Sequence, residues 1–214
     1  MFSITIIILI ITCLVSFGAF NNQKIMNDLI FYPPAVQQGQ WYRFFTCGLI
    51  HADIGHLAFN MISLYFFGEG VERAFTAIMG DLGRWVFLIL YLSALVASLL
   101  PTYLKNKDNH YYRSLGASGA VSAVIFSGLL LAPGSSVYLF LIPIPIPGFI
   151  FAPLYLLISI YLDRRGDSNI NHSAHIWGAV YGLAFTLVAS YAVGFDVFGY
   201  FILGVQDYLQ NLGQ

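Results

Sequence analysis

Charged residues are scarce in this chain of 214 residues. Asp, Glu, Lys and Arg together make up only 9% of it, whereas hydrophobic residues make up 58%. A soluble domain carries about 25% charged residues, so this chain cannot cover a globular surface with charge. The mean hydropathy of +0.76 has the same meaning. Composition therefore predicts an all-α, polytopic membrane protein.

Several other features are missing, and each absence excludes a class. The net charge of −1 gives no basic surface for a nucleic-acid partner. Cys13 lies inside an apolar run and Cys47 outside it, so we expect no disulfide. No histidine is followed by Glu, which excludes the H-E-x-x-H zinc site of metallopeptidases, and we expect no metal and no cofactor. The N-terminal apolar run lacks a preceding Lys or Arg and an A-x-A-like cleavage site, so we expect a retained helix.

Apolar runs are abundant. A membrane helix needs roughly 20 apolar residues, and six segments qualify: about 2–20, 55–75, 85–104, 115–132, 137–161 and 173–193. The sequence shows no repeat and no second domain, so we predict one membrane domain over 1–214. Four prolines disfavour a regular helix in the fifth segment: Pro143, Pro145, Pro147 and Pro153.

Three polar residues lie at the starts of alternate segments. His56, Ser118 and His175 begin the second, fourth and sixth. Because successive membrane helices alternate in direction, these starts lie on the same membrane face. Polar groups in membrane helices are costly and usually face the bundle interior or a water-filled cavity. We therefore predict that the three side chains converge.

Ser118 lies in a G-x-S-G sequence, which alone is a weak motif. Serine in a membrane helix generally packs or bonds its own helix. However, Gly116 permits an unusual backbone before the helix begins, and Gly119 permits the close approach of another chain. Backbone N–H groups at a helix N-terminus also face any developing negative charge. From the residues alone, both a packing serine and a nucleophile stay open.

His175 precedes two glycines on one helix face. Gly178 and Gly182 follow it by three and seven residues, in the small-xxx-small pattern that packs membrane helices. The fourth segment has a matching row of small residues: Gly119, Ala123 and Ser127. If the rows face each other, Ser118 and His175 come within hydrogen-bond reach, the minimum for an activated nucleophile. The alternative is that the glycines only pack and His175 caps a loop.

His56 and Asn60 are four residues apart and share a helix face. Both can donate hydrogen bonds, so they could stabilise an oxyanion. Alternatively, Asn60 bonds a backbone carbonyl and His56 is an interfacial histidine. No acidic residue falls within the fourth or sixth segment, so any catalytic unit would be a Ser–His dyad.

These motifs resemble those of the rhomboid intramembrane serine proteases. The matching patterns are H-x-x-x-N at 56–60, G-x-S-G at 116–119 and A-H-x-x-G at 174–178. "WYRFF", with Trp41 and Arg43, resembles the Trp-Arg motif of the family's first loop. "FFGEGVE" resembles the end of its second helix. The resemblance places a protease core at about 40–193.

The resemblance implies a six-helix bundle and a role for each site residue. Ser118 would be the nucleophile, and His175 the general base and then the general acid. His56, Asn60 and the Ser118 backbone N–H would form the oxyanion hole.

The resemblance also implies structural roles. The first loop, holding Trp41 and Arg43, would be half-embedded in one leaflet, and His51 would be structural. Gly116, Gly119, Gly178 and Gly182 would be structural members of the motifs. The fifth helix would be a lateral gate for the substrate.

The chain departs from the family at Ser122. Many relatives carry an aromatic residue there that packs on the catalytic imidazole. Another group must therefore orient His175, with Trp177 or a loop residue as candidates.

The positive charges also depart from the family's orientation. Seven Lys and Arg residues lie on the site's face: Lys24, Arg43, Lys105, Lys107, Arg113, Arg164 and Arg165. Two, Arg73 and Arg84, lie on the opposite face. The positive-inside rule places the site in the cytoplasm, whereas the family places it on the extracytoplasmic side. We follow the family, since two charges on a very short second loop can suffice if the N-terminal helix is retained.

The expected function is an intramembrane serine endopeptidase. It would cleave transmembrane segments of single-pass or polytopic membrane proteins in the lipid bilayer, near the membrane surface. The expected location is a bacterial inner membrane, with the site toward the extracytoplasmic side. The alternatives are a non-catalytic relative that binds membrane clients and a small transporter. Loss of the serine or the histidine would favour the binder, and both are present.

Overall fold

The computed structural model describes residues 3–139, 142–166 and 170–212. Expectations for residue 2, residues 140–141 and Asp167 lie outside these ranges. The first half of the chain contains α1 (Ile4–Phe20), α2 (Gln23–Leu29), α3 (Pro33–Gln37), α4 (Arg43–Thr46), a 3-10 turn (Cys47–Leu49), α5 (Ile54–Met79) and α6 (Leu82–Asn106). The second half contains α7 (Ser118–Leu131), β1 (Ser136–Leu139), β2 (Ile142–Pro147), α8 (Gly148–Arg165), α9 (His172–Ala192) and α10 (Val197–Asn211).

The described chain is mostly helical. The first, second, third, fourth and sixth predicted segments each coincide with one helix, namely α1, α5, α6, α7 and α9. Among the described residues, α6 and α9 are long and apolar enough to cross a membrane by length and composition. The apolar helices α1 and α7 are shorter.

The fifth segment, predicted over 137–161, does not begin as a helix. The strands β1 and β2 form an antiparallel pair, with Ser136 opposite Pro147 and Val137 opposite Ile146. The helix α8 starts only at Gly148. The alternating prolines of β2 explain the difference, because proline inside a helix loses a backbone hydrogen bond and clashes with the preceding turn. The chain therefore is not purely helical at this point.

The tail after Gly194 forms a helix that the sequence did not predict. Asp196 caps α10 by accepting a hydrogen bond from the backbone N–H of Gly199 at 2.9 Å. The helix packs against the end of α7: a Cβ at Gly204 would lie 2.7 Å from the Pro133 ring. The rings of Tyr208 and Phe149 also meet, with centroids 5.5 Å apart.

Polar side chains set where the helices of the site begin. Asp53 accepts a hydrogen bond from the backbone N–H of His56 at 2.8 Å, and so starts α5. Asn171 accepts one from Ala174 at 3.1 Å and starts α9. Such caps satisfy N–H groups that have no partner within the helix. They fix the depth at which His56 and His175 enter the bundle.

The helix α7 lies at the centre, packed against α5, α6 and α9. Its described neighbours bury most of its residues, including Ala120, Ala123 and Val124. At the far end from Ser118, the buried carboxylate of Glu72 accepts hydrogen bonds from the backbone N–H groups of Ile4 and Thr5, at 2.8 and 2.9 Å. This contact holds α1 against α5, because burial of a carboxylate is costly unless it is hydrogen-bonded.

Candidate active site

Ser118 and His175 meet at the N-terminal ends of α7 and α9. The distance from His175 Nε2 to Ser118 Oγ is 2.7 Å, and the pair is part-buried. This is the length of a good O–H···N hydrogen bond, in which the neutral imidazole accepts from the hydroxyl. Ser118 is also the first residue of α7, so free backbone N–H groups of the helix lie beside its side chain. The pair has the geometry of a serine activated by a general base.

The two small-residue rows lie against each other, which is the condition under which their spacing brings Ser118 and His175 together. A Cβ placed on Gly178 would lie 2.0 Å from the backbone oxygen of Gly119, and one on Gly182 would lie 2.1 Å from that of Ala123. Ser127 extends the contact, since its hydroxyl donates to the Gly182 oxygen at 3.1 Å. Real side chains do not fit at such distances. The glycines therefore let the two backbones touch, and this contact brings His175 to Ser118.

Gly116 shapes the turn before the nucleophile. Its φ of +107° lies in the region that favours glycine. A Cβ there would lie 2.6 Å from Cε1 and 2.8 Å from Nε2 of His56. The His56 ring therefore covers the backbone two residues before Ser118.

Asn60 is bonded to its own helix. Its Nδ2 donates to the His56 backbone oxygen at 2.9 Å, and its buried Oδ1 has no partner among the residues that the structure describes. This bond is the backbone alternative that the sequence left open. One N–H of the amide stays available, since an Asn side chain carries two.

His51 joins the first loop to the turn at Ser118. The Ala117 N–H donates to His51 Nε2 at 3.4 Å. Nε2 is therefore an acceptor, so Nδ1 carries the proton and donates to Ser16 Oγ at 3.0 Å. Ser16 in turn donates to the Leu49 oxygen at 2.8 Å. Burial and, to a smaller extent, the neighbouring His56 lower the pKa of His51 to about 4, against a smaller opposing effect of Asp53. A neutral His51 thus supports the turn without touching Ser118.

Arg43 holds the first loop together. Its Nη1 donates to the backbone oxygens of Asn27 and Ile30, at 2.9 and 2.7 Å, and its Nε donates to Gln40 at 2.7 Å. The side chain is buried, and these bonds offset the cost of burying a charge. Trp41 is exposed and stacks on the ring of Phe44 in the same loop.

Residues that sequence reasoning missed lie around His175. Trp177, one of the candidates to orient it, is 48% exposed. The ring of His172 instead packs edge-to-face on His175, with centroids 5.9 Å apart. Its position three residues before His175 on the same helix was a readable signal. Beside α7, Ser122 Oγ lies 3.0 Å from the hydroxyl of Tyr155 on α8, a partner that no spacing in the sequence indicates.

The placement of side chains that could hold a metal ion also bears on the site. In the described ranges, no three His, Cys, Asp or Glu side chains cluster so that they could hold a metal ion. The site as described consists of the dyad, the glycine contact, the His56 ring and the N-terminus of α7.

Comparisons with known proteins agree with these motifs. The family model of the Rhomboid domain matches residues 38–192. The chain is similar to the RHOMBOID-like protein 12, mitochondrial, of Arabidopsis thaliana, with 32% identity over 175 residues, which cover 77% of this chain and 51% of that protein. It is also similar to the rhomboid protease GluP of Bacillus subtilis, with 32% identity over 79% of this chain and 28% of that protein.

A third relative is the rhomboid protease GlpG of an Enterobacter strain, with 29% identity over 83% of this chain and 60% of that protein. The chain thus spans about 28% to 60% of the lengths of these relatives. Because a mitochondrial protein is among them, the expected bacterial inner membrane is not supported. With more than half of its length matched by the Rhomboid domain, the chain belongs to the rhomboid family.

Proposed function

We propose that the protein is an intramembrane serine endopeptidase in which Ser118 and His175 form the catalytic dyad. The observation that carries the proposal is the bond of 2.7 Å between Ser118 Oγ and His175 Nε2. It lies at the meeting point of two helix N-termini whose backbones touch. The substrates are transmembrane segments of other membrane proteins.

The proposed reaction uses this geometry. Ser118 Oγ attacks the substrate carbonyl carbon as His175 Nε2 takes the hydroxyl proton. The carbonyl oxygen becomes an oxyanion and is stabilised by the Ser118 N–H at the start of α7, with His56 and the free N–H of Asn60 as further donors. His175 then gives its proton to the leaving amine, so that the C–N bond breaks and an acyl-Ser118 ester forms.

A water molecule completes the cycle. His175 takes its proton as the oxygen attacks the ester carbon, and returns a proton to Ser118 as the acid product leaves. No described carboxylate bonds the imidazole, so its orientation rests on packing, including the His172 ring. A dyad held by packing depends on the α7–α9 contact for its activity.

The membrane arrangement is part of the proposal. We place α1, α5, α6, α7, α8 and α9 across the bilayer as six spans within a single domain, with the core at about 40–193 and the site toward the extracytoplasmic side. The apolar character of α6 and α9 supports this arrangement, as does the exposed Trp41 on a loop beside the site. Protease accessibility of a tag added after Gln214 tests the orientation.

The activity is tested with purified protein in detergent micelles. Wild type, Ser118→Ala and His175→Ala are compared side by side on a model single-pass substrate, with the products resolved on a gel. We expect cleavage by the wild type and a loss of more than roughly 1,000-fold in both variants, as for other serine nucleophiles and their bases. Full activity of Ser118→Ala would exclude the proposed nucleophile. Binding of the substrate without cleavage by any form would favour the non-catalytic client binder.

A further inference from the structure

A hydroxyl pair lies between α7 and α8, one turn below the dyad. Ser122 follows Ser118 by four residues and therefore shares its helix face, about 6 Å deeper. Its Oγ lies 3.0 Å from the hydroxyl of Tyr155. Only 3% of the Ser122 surface is exposed, whereas Tyr155 is half-buried, so the bond between them is part-buried.

The hydroxyl of Ser122 bonds another side chain rather than a backbone carbonyl. Serine and threonine in helices commonly bond a carbonyl of the preceding turn. Ser127 does so, since its hydroxyl is shared between the Ala123 oxygen at 2.8 Å and the Gly182 oxygen of α9 at 3.1 Å, and Thr76 donates to the Glu72 oxygen at 2.7 Å. The bond described for Ser122 instead joins it to a side chain on another helix. Its hydroxyl is therefore not committed to the backbone of α7.

Tyr155 is held in place by contacts with aromatic side chains. Its ring packs on Phe126 of α7 and Phe151 of α8, with centroids 5.5 and 5.7 Å away. Ser159 lies one turn further along α8 and is also buried. The face of α8 toward the site thus carries hydroxyl groups on an apolar, aromatic support.

We propose that the Ser122 and Tyr155 hydroxyls form a subsite that binds the main chain of the unwound substrate segment. The proposal rests on the proposed proteolysis of transmembrane helices. A helix must unwind before its carbonyl can be attacked, and each freed N–H or C=O in an apolar region costs several kcal/mol without a partner. A hydroxyl can both donate and accept, so the pair can serve either group.

The mutual bond of the pair is the resting arrangement. When the unwound segment enters, the hydroxyls give up their one bond to each other, and each can then donate to a substrate C=O or accept from a substrate N–H. The chemistry recognised is the extended peptide main chain, whatever its side chains. Tyr155 acts as a binding residue that never touches the transferred proton.

The chain offers a matched control for this hydroxyl. Tyr181 on α9 donates to Ser93 on α6 at 2.7 Å, a second tyrosine–serine bond between helices. Tyr155→Phe and Tyr181→Phe each delete one oxygen from such a pair. If a hydroxyl bond between helices matters only for packing, the two variants behave alike.

The first experiment compares cleavage with labelling. For Tyr155→Phe and Ser122→Ala, we expect kcat/KM on a transmembrane substrate to fall roughly fivefold to thirtyfold, as for loss of one buried hydrogen bond. The rate at which a small fluorophosphonate labels Ser118 stays within about twofold, because the probe has no peptide main chain. Tyr181→Phe changes neither rate. Equal losses of cleavage and labelling in Tyr155→Phe, or no loss, overturn the subsite.

A second experiment identifies the recognised group. Model transmembrane peptides carry one ester in place of an amide at successive positions beside the scissile bond, which removes one N–H. At one position, the ester should slow the wild type but not Tyr155→Phe, since coupled changes are non-additive. Additive losses at every position contradict recognition of the main-chain N–H.

A binding measurement tests the Ser122–Tyr155 subsite independently of the proposed proteolysis. In the Ser118→Ala background, a fluorescent transmembrane peptide with a central Gly-Gly is titrated, and adding Tyr155→Phe should weaken its affinity roughly fivefold or more, whereas adding Tyr181→Phe should not. If the wild type neither cleaves nor is labelled, the protease assignment fails while this titration still decides the subsite. Equal affinities in all three proteins overturn the subsite while the protease assignment stands.

Discussion

The helices α8 and α9 both pack on α7, but in different ways. Across the α7–α9 contact the backbones touch, because Gly178 and Gly182 meet main-chain oxygens at distances where no side chain fits. Across the α7–α8 contact, side chains meet instead, through the hydroxyls of Ser122 and Tyr155 and their aromatic neighbours. In α8, Gly148 and Ser159 are the buried residues.

The difference assigns separate tasks to the two sides of the site. A dyad at 2.7 Å tolerates little displacement, because an error of about 1 Å can cost roughly 100-fold in rate. It therefore depends on the backbone contact of α7 and α9. The α7–α8 contact is built from side chains and hydroxyls, which can exchange partners at low cost, and under the proposed function it would bind a substrate segment that arrives from the bilayer.

The largest effect is expected from adding one methyl group to the α7–α9 contact, where the two backbones touch. In Gly178→Ala, the new Cβ would lie 2.0 Å from the Gly119 oxygen, so α9 must move away from α7. We expect cleavage to fall roughly 100-fold and the protein to lose about 1–3 kcal/mol of stability by overpacking, measured by thermal unfolding in micelles. Gly70→Ala on α5 is the control, because nothing lies within 4 Å of its Cβ. Equal behaviour of the two variants would show that the α7–α9 contact does not position the dyad.

A smaller effect is expected at the turn before Ser118. Gly116→Ala brings a Cβ within 2.6 Å of the His56 ring at a φ of +107°. We expect a roughly tenfold to hundredfold loss of cleavage, the equivalent of about 1–3 kcal/mol of local strain. Gly166→Ala also has a positive φ, of +70°, but nothing lies within 4 Å of its Cβ. It should lower stability while cleavage is unchanged, and a similar loss of cleavage in both variants would exclude a specific role for the Gly116–His56 contact.

The α7–α9 contact could be predicted from the sequence, and the α7–α8 contact could not. Helix parity and the spacing of Gly178 and Gly182 follow from chain direction and 3.6-residue periodicity, which are local rules. These rules are enough to predict that Ser118 and His175 meet. The Tyr155–Ser122 bond joins residues 33 apart on two helices, and its partner depends on how α8 is rotated, which no spacing determines.

Two further differences have local causes. The fifth segment was predicted as helix from its hydropathy, but the prolines of β2 lack the N–H that a helix needs, and α8 begins after them. The helix α10 was not predicted because the sequence after Gly194 was interpreted as only mildly amphipathic. The close approach to Pro133 that Gly204 permits is visible only in three dimensions.

The stability of the protein is expected to depend on pH through His51, which joins the first loop to the turn before Ser118. His51 has a pKa of about 4 in the folded protein and about 6.5 when unfolded, so the unfolded state binds more protons between these values. The contribution of neutral His51 to the free energy of unfolding is complete above pH 6.5. It is lost as the pH falls toward 4, and the loss is at most about 3 kcal/mol. Thermal unfolding from pH 4 to 7 measures it. His51→Gln should be less stable at pH 7 and should flatten this dependence, and an unchanged slope would show that another group titrates.

The smallest effect is expected on the outer face of α8. Ile158 is 59% exposed and would face lipid, which is as apolar as the protein interior. Ile158→Ala should change stability by less than about 0.5 kcal/mol and cleavage by less than about twofold. Val124→Ala, at a fully buried position of α7, removes a similar side chain and should cost about 2 kcal/mol. Unfolding midpoints measured together in the same micelles compare the two, and a larger loss for Ile158→Ala would show that α8 is packed as tightly as α7.

The central claim is that the α7–α9 contact makes Ser118 nucleophilic by placing His175 on it. Fluorophosphonate labelling followed by mass spectrometry of the modified peptide measures this most directly, in the wild type, His175→Ala and Gly178→Ala. We expect modification at Ser118 in the wild type, a labelling rate at least roughly 100-fold lower in His175→Ala, and an intermediate rate in Gly178→Ala. Labelling of Ser118 at the wild-type rate in His175→Ala would contradict the account.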